Sequence, residues 1–293
     1  MKYTFKEIDS CNMCGGEGRV LGRRLNQAQG LRPKTRIGIT TTVMKCHDCG
    51  LLYANPLPIP ENIGDHYGIP PESYWNNGYF TVPENHMSDV FRQMFRVCPH
   101  AKTFLDVGAG IGRNMRAAER EGLAAWGVEP SEPFYSRALE RMGIASERIQ
   151  NAPVEGANFP RMFDMISFAA VLEHLYDPSA CLEKALSWLN PGGVIHLEVP
   201  DAGYLFSKIF NAYFWLARTD FVVNISPMHV PFHLYEFTRR SFELNGERLG
   251  YEIAHLERYA GTMMAAPRLT RFFGPLMNAT STGEGLVVYL RKI

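Results

Sequence analysis

The sequence predicts an α/β fold in which a mostly parallel sheet carries helices on both faces. The first observation is a regular alternation of apolar segments with amphipathic ones over the last two thirds of the chain. The second is a glycine-rich turn between the first of these strands and the helix that follows it. The predicted strands lie at 103–107, 124–129, 147–151, 163–169 and 194–199, and the helices near 112–121, 132–142 and 178–189.

The C-terminal part of the chain is predicted to complete this sheet. Thr238 suits the N-cap of a helix that runs to Leu249, and Gly250 suits the position that ends it. Segments 251–258 and 285–291 are predicted as strands. We therefore expect two more strands after the five above.

The first 60 residues are predicted to form a small zinc-binding β module, with a strand in the alternating segment 37–44. Cys11-x-x-Cys14 and Cys46-x-x-Cys49 are two cysteine knuckles separated by 31 residues, and four thiolates can close a tetrahedral shell around zinc. Neither pair opens a helix in a βαβ unit, which counts against a redox role. His47 inside the second knuckle is a competing ligand. Because a closed shell leaves no open position, we expect structural zinc.

Three further regions follow the module. Residues 55–60 contain three prolines and are predicted to be a stiff extended linker. Residues 61–98 are predicted to be a helical arm and lid, whose tyrosines either cover a cofactor or pack the arm on the sheet; these are Tyr67, Tyr74 and Tyr79. Residues 99–293 make up the sheet domain, with an apolar insertion at about 203–232.

The glycine turn carries the strongest indication of a ligand. Its glycines are Gly108, Gly110 and Gly112, and Arg113 occupies the place where a dinucleotide fingerprint has its third glycine. Asp106 precedes the turn, and Glu129 follows about 20 residues later, where a carboxylate can accept both hydroxyls of a ribose. The sequence therefore predicts a cofactor that contains adenosine but has no pyrophosphate.

Further motifs follow at ordered spacing. Segment 163–168 is a strand, Leu172-Glu-His-Leu175 with Asp177-Pro178 is the loop after it, and Leu189-Asn-Pro-Gly-Gly193 is a turn before the next strand. Together with the glycine turn, they resemble the motifs of class I S-adenosylmethionine-dependent methyltransferases over about residues 100–293. The cysteine module is also similar to the N-terminal zinc module of some deoxysugar C-methyltransferases, whose C-terminal domain this sequence is expected to lack.

The resemblance implies a Rossmann-like seven-stranded methyltransferase sheet, mostly parallel with an antiparallel last strand, and S-adenosylmethionine as the cofactor. Asp106 is expected to face the ammonium group, Glu129 to bind the ribose, and the glycines to let the backbone approach the methionine part. The residues expected to bind the cofactor are Asp106, Gly108, Ala109, Gly110, Glu129, Pro130, Asn151, Ala152, Phe168 and Ala169.

Two histidines are the candidates for a catalytic base, because imidazole titrates near neutral pH. His233 lies in a segment that resembles the family's E-H-x-x-x-F-[ST] pattern, but Phe232 replaces the acid, so Glu173 or Glu236 is expected to substitute. His174 is either a base, a residue that orders its loop, or a cofactor contact. His233 stays open between a base and a structural residue at the helix entry. His229 is a third, weaker candidate.

Composition restricts the partners. Lys plus Arg and Asp plus Glu number 30 each, so a formal net charge of zero disfavours nucleic acid. We expect a cytoplasmic protein, because the sequence has neither a signal pattern nor an apolar run of roughly 18 residues. The aromatic segment 204–217 and the apolar segment 263–277 are expected to roof the acceptor site. A homodimer interface, a domain-closing core and a peripheral membrane contact remain alternatives.

The expected function is methyl transfer to the oxygen or carbon of a small molecule, a nucleotide- or carrier-linked sugar or a secondary metabolite, with a histidine base. One alternative is a methyltransferase that acts on RNA or protein through the zinc module. A nicotinamide-dependent oxidoreductase and a non-catalytic cofactor-binding scaffold are the others.

Overall fold

A seven-stranded sheet forms the centre of the computed structural model, which describes residues 2–24, 41–62, 68, 70–73, 77–225, 233–260 and 267–293. Its strands are β6 (Thr103–Val107), β7 (Ala124–Val128), β8 (Ile149–Gln150), β9 (Phe163–Ala169), β10 (Leu189–Pro200), β13 (Tyr251–Tyr259) and β14 (Gly285–Lys292). Their order is β13-β14-β10-β9-β6-β7-β8. Strands β6 to β10 are parallel, and β14 is antiparallel to both β10 and β13. The predicted sheet, with its antiparallel last strand, is confirmed.

Helices connect these strands and cover the sheet. They are α1 (Ser88–Val97), α2 (Arg113–Arg120), α3 (Glu132–Glu140), α4 (Pro178–Trp188), α5 (Leu205–Leu216), α6 (Arg239–Leu249) and α7 (Pro267–Thr280). The Thr238 side chain accepts the Ser241 N–H and closes a capping box at the start of α6, and Gly250 ends the helix with φ 80°. Both predicted ends of this helix are confirmed.

A second, five-stranded sheet lies beside the first. Its inner strands are β2 (Gly18–Arg24), β3 (Thr42–Cys46) and β4 (Leu52–Asn55), and its outer strands are β11 (Phe221–Val222) and β12 (Tyr235–Glu236). The two outer strands come from the region between β10 and α6. The module predicted over residues 1–60 therefore gains strands from the C-terminal half of the chain. We call β2–β4 and the loops 11–14 and 46–49 the knuckle module.

The segment 55–60 is extended, as predicted, but its interpretation as a linker is wrong for most of its length. Residues Leu57–Pro60 form β5, which pairs antiparallel with β1 (Tyr3–Lys6) in a two-stranded sheet. Both prolines of β5 are tolerated because a strand with a free edge leaves backbone positions that need no N–H donor. The turn predicted at 189–193 lies within β10, as an irregularity in its pairing with β9 between Leu189 and Val194.

One apolar core joins the two larger sheets. Met13 and Val43 of the knuckle module are fully buried in the same cluster as Ile166 of β9 and Phe237 at the entry to α6. Tyr67, Tyr74, His229 and Phe232 lie outside the described residues, as do 37–40 of the predicted strand and 263–266 of the apolar segment.

Candidate functional site

The glycine turn lies at the carboxyl end of β6, the edge where ligands bind in open α/β sheets. The N–H groups of Gly108 and Ala109 both donate to the carbonyl of Val128, at 2.8 and 2.9 Å, which ties the turn to the end of β7. Gly108 has φ +75°, and a Cβ there would come within 2.4 Å of Val171 Cγ2. Glycine is thus required at 108 by its backbone and by Val171, a reason that the sequence pattern does not reveal.

Glu129 holds the other side of this turn. Its carboxylate accepts the Gly110 N–H at 2.7 Å and the Ser131 N–H at 2.8 Å, one on each oxygen. Burial raises the pKa of Glu129 to about 7, although both N–H donors oppose the shift. Each carboxylate oxygen still has accepting capacity, so the pair suits two ribose hydroxyls.

Asp106 is a fully buried carboxyl at the end of β6. Its Oδ1 accepts from Asn114 Nδ2 at 3.3 Å, and its Oδ2 has no hydrogen-bond partner among the described residues. Burial raises the pKa of Asp106 to about 7, and the charge of nearby Glu129 adds to the shift. Such a carboxyl is costly to ionise unless a cation binds beside it. The site therefore fits a ligand with an ammonium group and a ribose, as S-adenosylmethionine has.

Two more residues lie beside this site, and only one of them was predicted from the sequence. His86, which the sequence analysis missed, has Nε2 2.9 Å from Asn114 Oδ1, and so reaches Asp106 through Asn114. A lone histidine in a loop before a helix carries no sequence signal. Tyr79 is one of the three predicted lid tyrosines; its ring lies under the Arg113 guanidinium, and its hydroxyl is beside Gly110.

The other predicted cofactor residues lie at the same edge. Asn151 Nδ2 donates to the Glu129 carbonyl at 2.9 Å, so its side chain orders the turn after β7. Phe168 is fully buried in the core, whereas Ala169 is partly exposed at the end of β9. Pro130 and Ala152 are also partly exposed.

Three predicted catalytic residues come together beside this edge. Glu173 Oε1 is 3.7 Å from His233 Nε2 and 3.9 Å from His174 Nε2. The two imidazole rings meet edge to face, with centroids 4.7 Å apart. Glu173 and His174 lie on a 3₁₀ turn after β9, and the Leu234 N–H donates to the Glu173 carbonyl at 2.7 Å, which holds the segment of His233 against this turn.

Glu173 is the buried centre of this cluster. Burial raises its pKa to about 8, and the charge of Glu198 on β10 adds to the shift. Its Oε2 has no hydrogen-bond partner among the described residues. With this pKa the carboxyl is mostly protonated near pH 7 when no positive charge lies beside it. A proton taken up by the neighbouring imidazole favours the ionised carboxylate, which then stabilises the imidazolium. The ligand atoms of Glu173, His174 and His233 all lie within 4.8 Å of one another, so the same group suits a divalent cation.

Glu236, the other acid considered for His233, is engaged elsewhere. Its carboxylate accepts from Asn224 Nδ2 at 2.7 Å and from the Ile225 N–H at 2.5 Å. These bonds connect β12 to the part of the insertion that follows β11. Among the two acids, the geometry favours Glu173 as the partner of His233.

The four knuckle cysteines form a second cluster. The sulfur atoms of Cys11 and Cys49 are 3.6 Å apart, those of Cys14 and Cys46 are 3.4 Å apart, and all four lie within 4.8 Å of one another. Tetrahedral zinc with Zn–S bonds of about 2.3 Å would place its sulfurs roughly 3.8 Å apart. His47 is exposed and does not belong to this cluster. The donor set fits a four-thiolate metal site.

The aromatic segment of the insertion forms α5, and much of it is exposed. Phe206 is buried and contacts Phe273 of α7, with ring centroids 5.6 Å apart. Trp215 and Leu216 are 75% and 72% exposed, and Ile209, Phe210 and Tyr213 are also exposed. A domain-closing core is therefore wrong for these five side chains.

None of the helices in the described part of the chain is long and apolar enough to cross a membrane.

Known proteins match this chain over the regions just described. A family model described as a methyltransferase domain matches residues 82–256, more than half of the chain. A ubiquinone biosynthesis O-methyltransferase of Pseudomonas paraeruginosa is 31% identical over 120 residues, which are 38% of this chain and 51% of that protein. Its mitochondrial counterpart in Schizosaccharomyces pombe is 29% identical over 117 residues, 38% of this chain and 42% of that protein. The chain spans about half the length of the curated relatives it matches.

One solved structure shares the fold over most of the chain. The "Phospholethanolamine N-methyltransferase 2" of Haemonchus contortus, in complex with phosphomonomethylethanolamine and S-adenosylhomocysteine, aligns with a TM-score of 0.51 at 16% identity. The alignment covers 83% of this chain and 62% of that one. With the family match, the strand order and the glycine turn, these findings show that the chain belongs to the class I S-adenosylmethionine-dependent methyltransferases.

Proposed function

We propose that the chain methylates an oxygen or carbon of a small-molecule acceptor, with His233 as the base. The observation that carries this proposal is the buried Glu173 carboxyl beside His233 and His174. When bound, S-adenosylmethionine supplies an electrophilic methyl group. Asp106 would hold its ammonium group and Glu129 its ribose.

The residues of the cluster divide the proton transfer between them. His233 takes the proton of the acceptor, which makes the attacking atom more nucleophilic. Glu173 stabilises the imidazolium that results, as the carboxylate of a catalytic triad does. His174 packs edge to face on His233 and limits its orientation.

The acceptor is proposed to be bulky and partly apolar. The exposed aromatic side chains of α5 would cover such a molecule. The relatives named for ubiquinone biosynthesis O-methylation favour a hydroxyl as the methylated group. A nucleotide- or carrier-linked sugar and a phenolic secondary metabolite are the two acceptor classes that we propose. The four knuckle cysteines are proposed to hold structural zinc.

A panel assay tests this proposal. The chain would be incubated with isotope-labelled S-adenosylmethionine and one acceptor class at a time, and the products analysed by mass spectrometry. The classes are nucleotide sugars, phenols with and without a prenyl chain, acyl acceptors and, as separate reactions, RNA and protein. We expect a labelled methyl on one small-molecule class and its loss in His233→Ala. His100→Ala is the control variant, because His100 is exposed and precedes the amino end of β6, whereas the cluster follows the carboxyl end of β9. Label found only on added RNA or protein would overturn the acceptor proposal. Calorimetric affinity for a nicotinamide cofactor alone would overturn the reaction.

A metal-assisted form of the reaction is a second candidate. It is favoured by the close approach of the ligand atoms of Glu173, His174 and His233. A divalent cation there would lower the pKa of an acceptor hydroxyl bound to it, so that neither histidine would have to act as the base. Chelator treatment followed by Mg²⁺ or Mn²⁺ separates the two forms. Activity restored by Mg²⁺ or Mn²⁺ supports metal assistance, whereas full activity in chelator with zinc still bound supports the histidine base.

A further inference from the structure

We propose that the knuckle module positions His233, an inference that rests on the proposed role of this histidine as the base. The segment 233–238 is itself part of the module's sheet. Strand β12 pairs antiparallel with β4, with Tyr235 opposite Tyr53 and Glu236 opposite Leu52. The Ala54 N–H donates to the Leu234 carbonyl at 2.9 Å.

Both cysteine knuckles bind the same segment. The Thr238 hydroxyl donates to the carbonyl of Cys49 in the second knuckle at 2.6 Å. The Tyr235 hydroxyl shares its single proton between Oδ1 of Asn12, inside the first knuckle, at 3.2 Å, and the Tyr176 carbonyl at 3.0 Å. The next helix adds a third bond, because Asn245 Nδ2 donates to the Met13 carbonyl at 2.9 Å. His233 is therefore followed by a segment bonded to the loops that carry all four cysteines.

The opposite side of this segment contacts the loop of Glu173. The Leu234 N–H donates to the Glu173 carbonyl, and the Tyr235 hydroxyl also lies 3.0 Å from the Tyr176 carbonyl. The segment thus lies between the knuckles and the 3₁₀ turn that carries Glu173 and His174. A shift of the knuckles would change the distance between His233 and Glu173.

A bound metal would fix the knuckles. It would supply the cross-link between loops 11–14 and 46–49, whose sulfurs are already gathered within 4.8 Å. The glycine turn depends on other contacts, because its hydrogen bonds run to Val128 and Glu129 in the seven-stranded sheet. Loss of the metal should therefore release His233 while the cofactor site stays formed.

Hydrogen exchange measured by mass spectrometry tests the proposal without any acceptor. The variants are Cys46→Ser, which removes a metal ligand, and Asn12→Ala, which removes one acceptor of the Tyr235 hydroxyl but keeps every cysteine. Cys98→Ser is the matched control, because Cys98 lies outside the knuckles. Asn12→Asp keeps an oxygen acceptor and should restore the wild-type behaviour.

We expect exchange of a peptide over 233–238 to rise about tenfold in Asn12→Ala, the factor for the loss of one hydrogen bond, and more in Cys46→Ser. A peptide over 104–112 and the affinity for S-adenosylhomocysteine should stay as in the wild type. Unchanged exchange at 233–238 in Asn12→Ala and in a folded, zinc-free Cys46→Ser protein would overturn the positioning role.

The failure of this inference can be told from the failure of the proposed function. If His233→Ala keeps its turnover while the exchange at 233–238 responds to the knuckle variants, the positioning stands and the base role is wrong. If His233→Ala loses its turnover but the exchange rate at 233–238 is the same in the knuckle variants as in the wild type, the base role stands and the positioning is wrong. Should Cys46→Ser unfold entirely, the pair Asn12→Ala and Asn12→Asp decides the question.

Discussion

The seven-stranded and the five-stranded sheet differ in how their strands are drawn from the sequence. In the first, β6, β7 and β8 are neighbours in chain order, joined by α2 and α3. In the second, β2, β3 and β4 receive β11 and β12 from more than 150 residues further along. The first sheet carries Asp106 and Glu129, and the second carries His233. Cofactor affinity and turnover should therefore respond to different substitutions.

The largest expected effect concerns His233. We predict that His233→Ala lowers turnover by about 10²–10⁴-fold, the usual contribution of a general base, with unchanged affinity for S-adenosylhomocysteine. His174→Ala should change this affinity as well, because His174 lies on the turn after β9. Steady-state kinetics at saturating acceptor and calorimetry check both results. Near-normal turnover of His233→Ala would remove this residue from the mechanism.

The next effect concerns the cofactor side of the molecule, by which we mean the glycine turn with Asp106 and Glu129. It is measured as a change in the free energy of unfolding. Alanine at 108 must adopt a left-handed backbone and contact Val171, so Gly108→Ala should cost about 2–5 kcal/mol of unfolding free energy. Gly122 is the matched control, since it has φ +82° and nothing within 4 Å of an added Cβ. Gly122→Ala should cost only about 1–2 kcal/mol, the backbone part. Equal losses of unfolding free energy in Gly108→Ala and Gly122→Ala, measured by urea denaturation, would show that the Val171 side chain moves to accommodate the added methyl group.

The cofactor side could be predicted from the sequence because its determinants are local. The glycine turn, Asp106 and Glu129 fall within 24 residues on two consecutive strands, and each strand–turn–helix unit has its own periodicity and caps. The helix between Thr238 and Gly250 was predictable for the same reason. The packing partner of Gly108 was not predictable, because Val171 follows β9 and is brought to the glycine turn only by the folding of the sheet.

The acceptor side could be predicted only in part. Glu173 was one of two acids expected to pair with His233, but the choice between Glu173 and Glu236 could not be made. The contact of Glu173 with His233 spans 60 positions and depends on strands of two residues each. Such short strands carry no periodic signal. The pairing of β5 with β1 escaped prediction because prolines usually argue against a strand. In both cases tertiary pairing, rather than local propensity, decided the structure.

A smaller effect concerns the charge of Asp106. We predict that Asp106→Asn weakens S-adenosylhomocysteine binding by about 10–150-fold, the equivalent of a charged hydrogen bond of roughly 1.5–3 kcal/mol. Burial raises the pKa of Asp106 to about 7, so wild-type affinity should fall as the pH drops from 8 to 6 and the carboxyl becomes protonated. Calorimetry over this range checks it.

The pH dependence has an internal control. The pKa of Glu129 is also raised to about 7, so Asp106→Asn should reduce the slope of affinity against pH rather than abolish it. Charging either buried carboxyl is unfavourable without ligand, so the cofactor-free protein should lose stability as the pH rises from about 4, where these carboxyls ionise in the unfolded chain, to about 7, where they ionise in the folded one. An affinity that is independent of pH in the wild type would argue against an ammonium group beside Asp106.

The smallest expected effect is at the far edge of the five-stranded sheet. Arg23 and Asp220 form a bidentate ion pair, in which two guanidinium nitrogens lie 2.6 and 2.7 Å from the two carboxylate oxygens, but both side chains are more than half exposed. Water and salt screen such a pair, so Asp220→Asn should leave melting temperature and turnover unchanged.

Backbone contacts hold this edge instead, since the Arg23 N–H donates to the Asp220 carbonyl at 2.7 Å. A Cβ at Gly22 would lie 2.6 Å from the same carbonyl, so Gly22→Ala should separate β11 from β2 and lower turnover. If Asp220→Asn proved the more damaging of the two, side-chain charge rather than strand pairing would hold the insertion to the knuckle module.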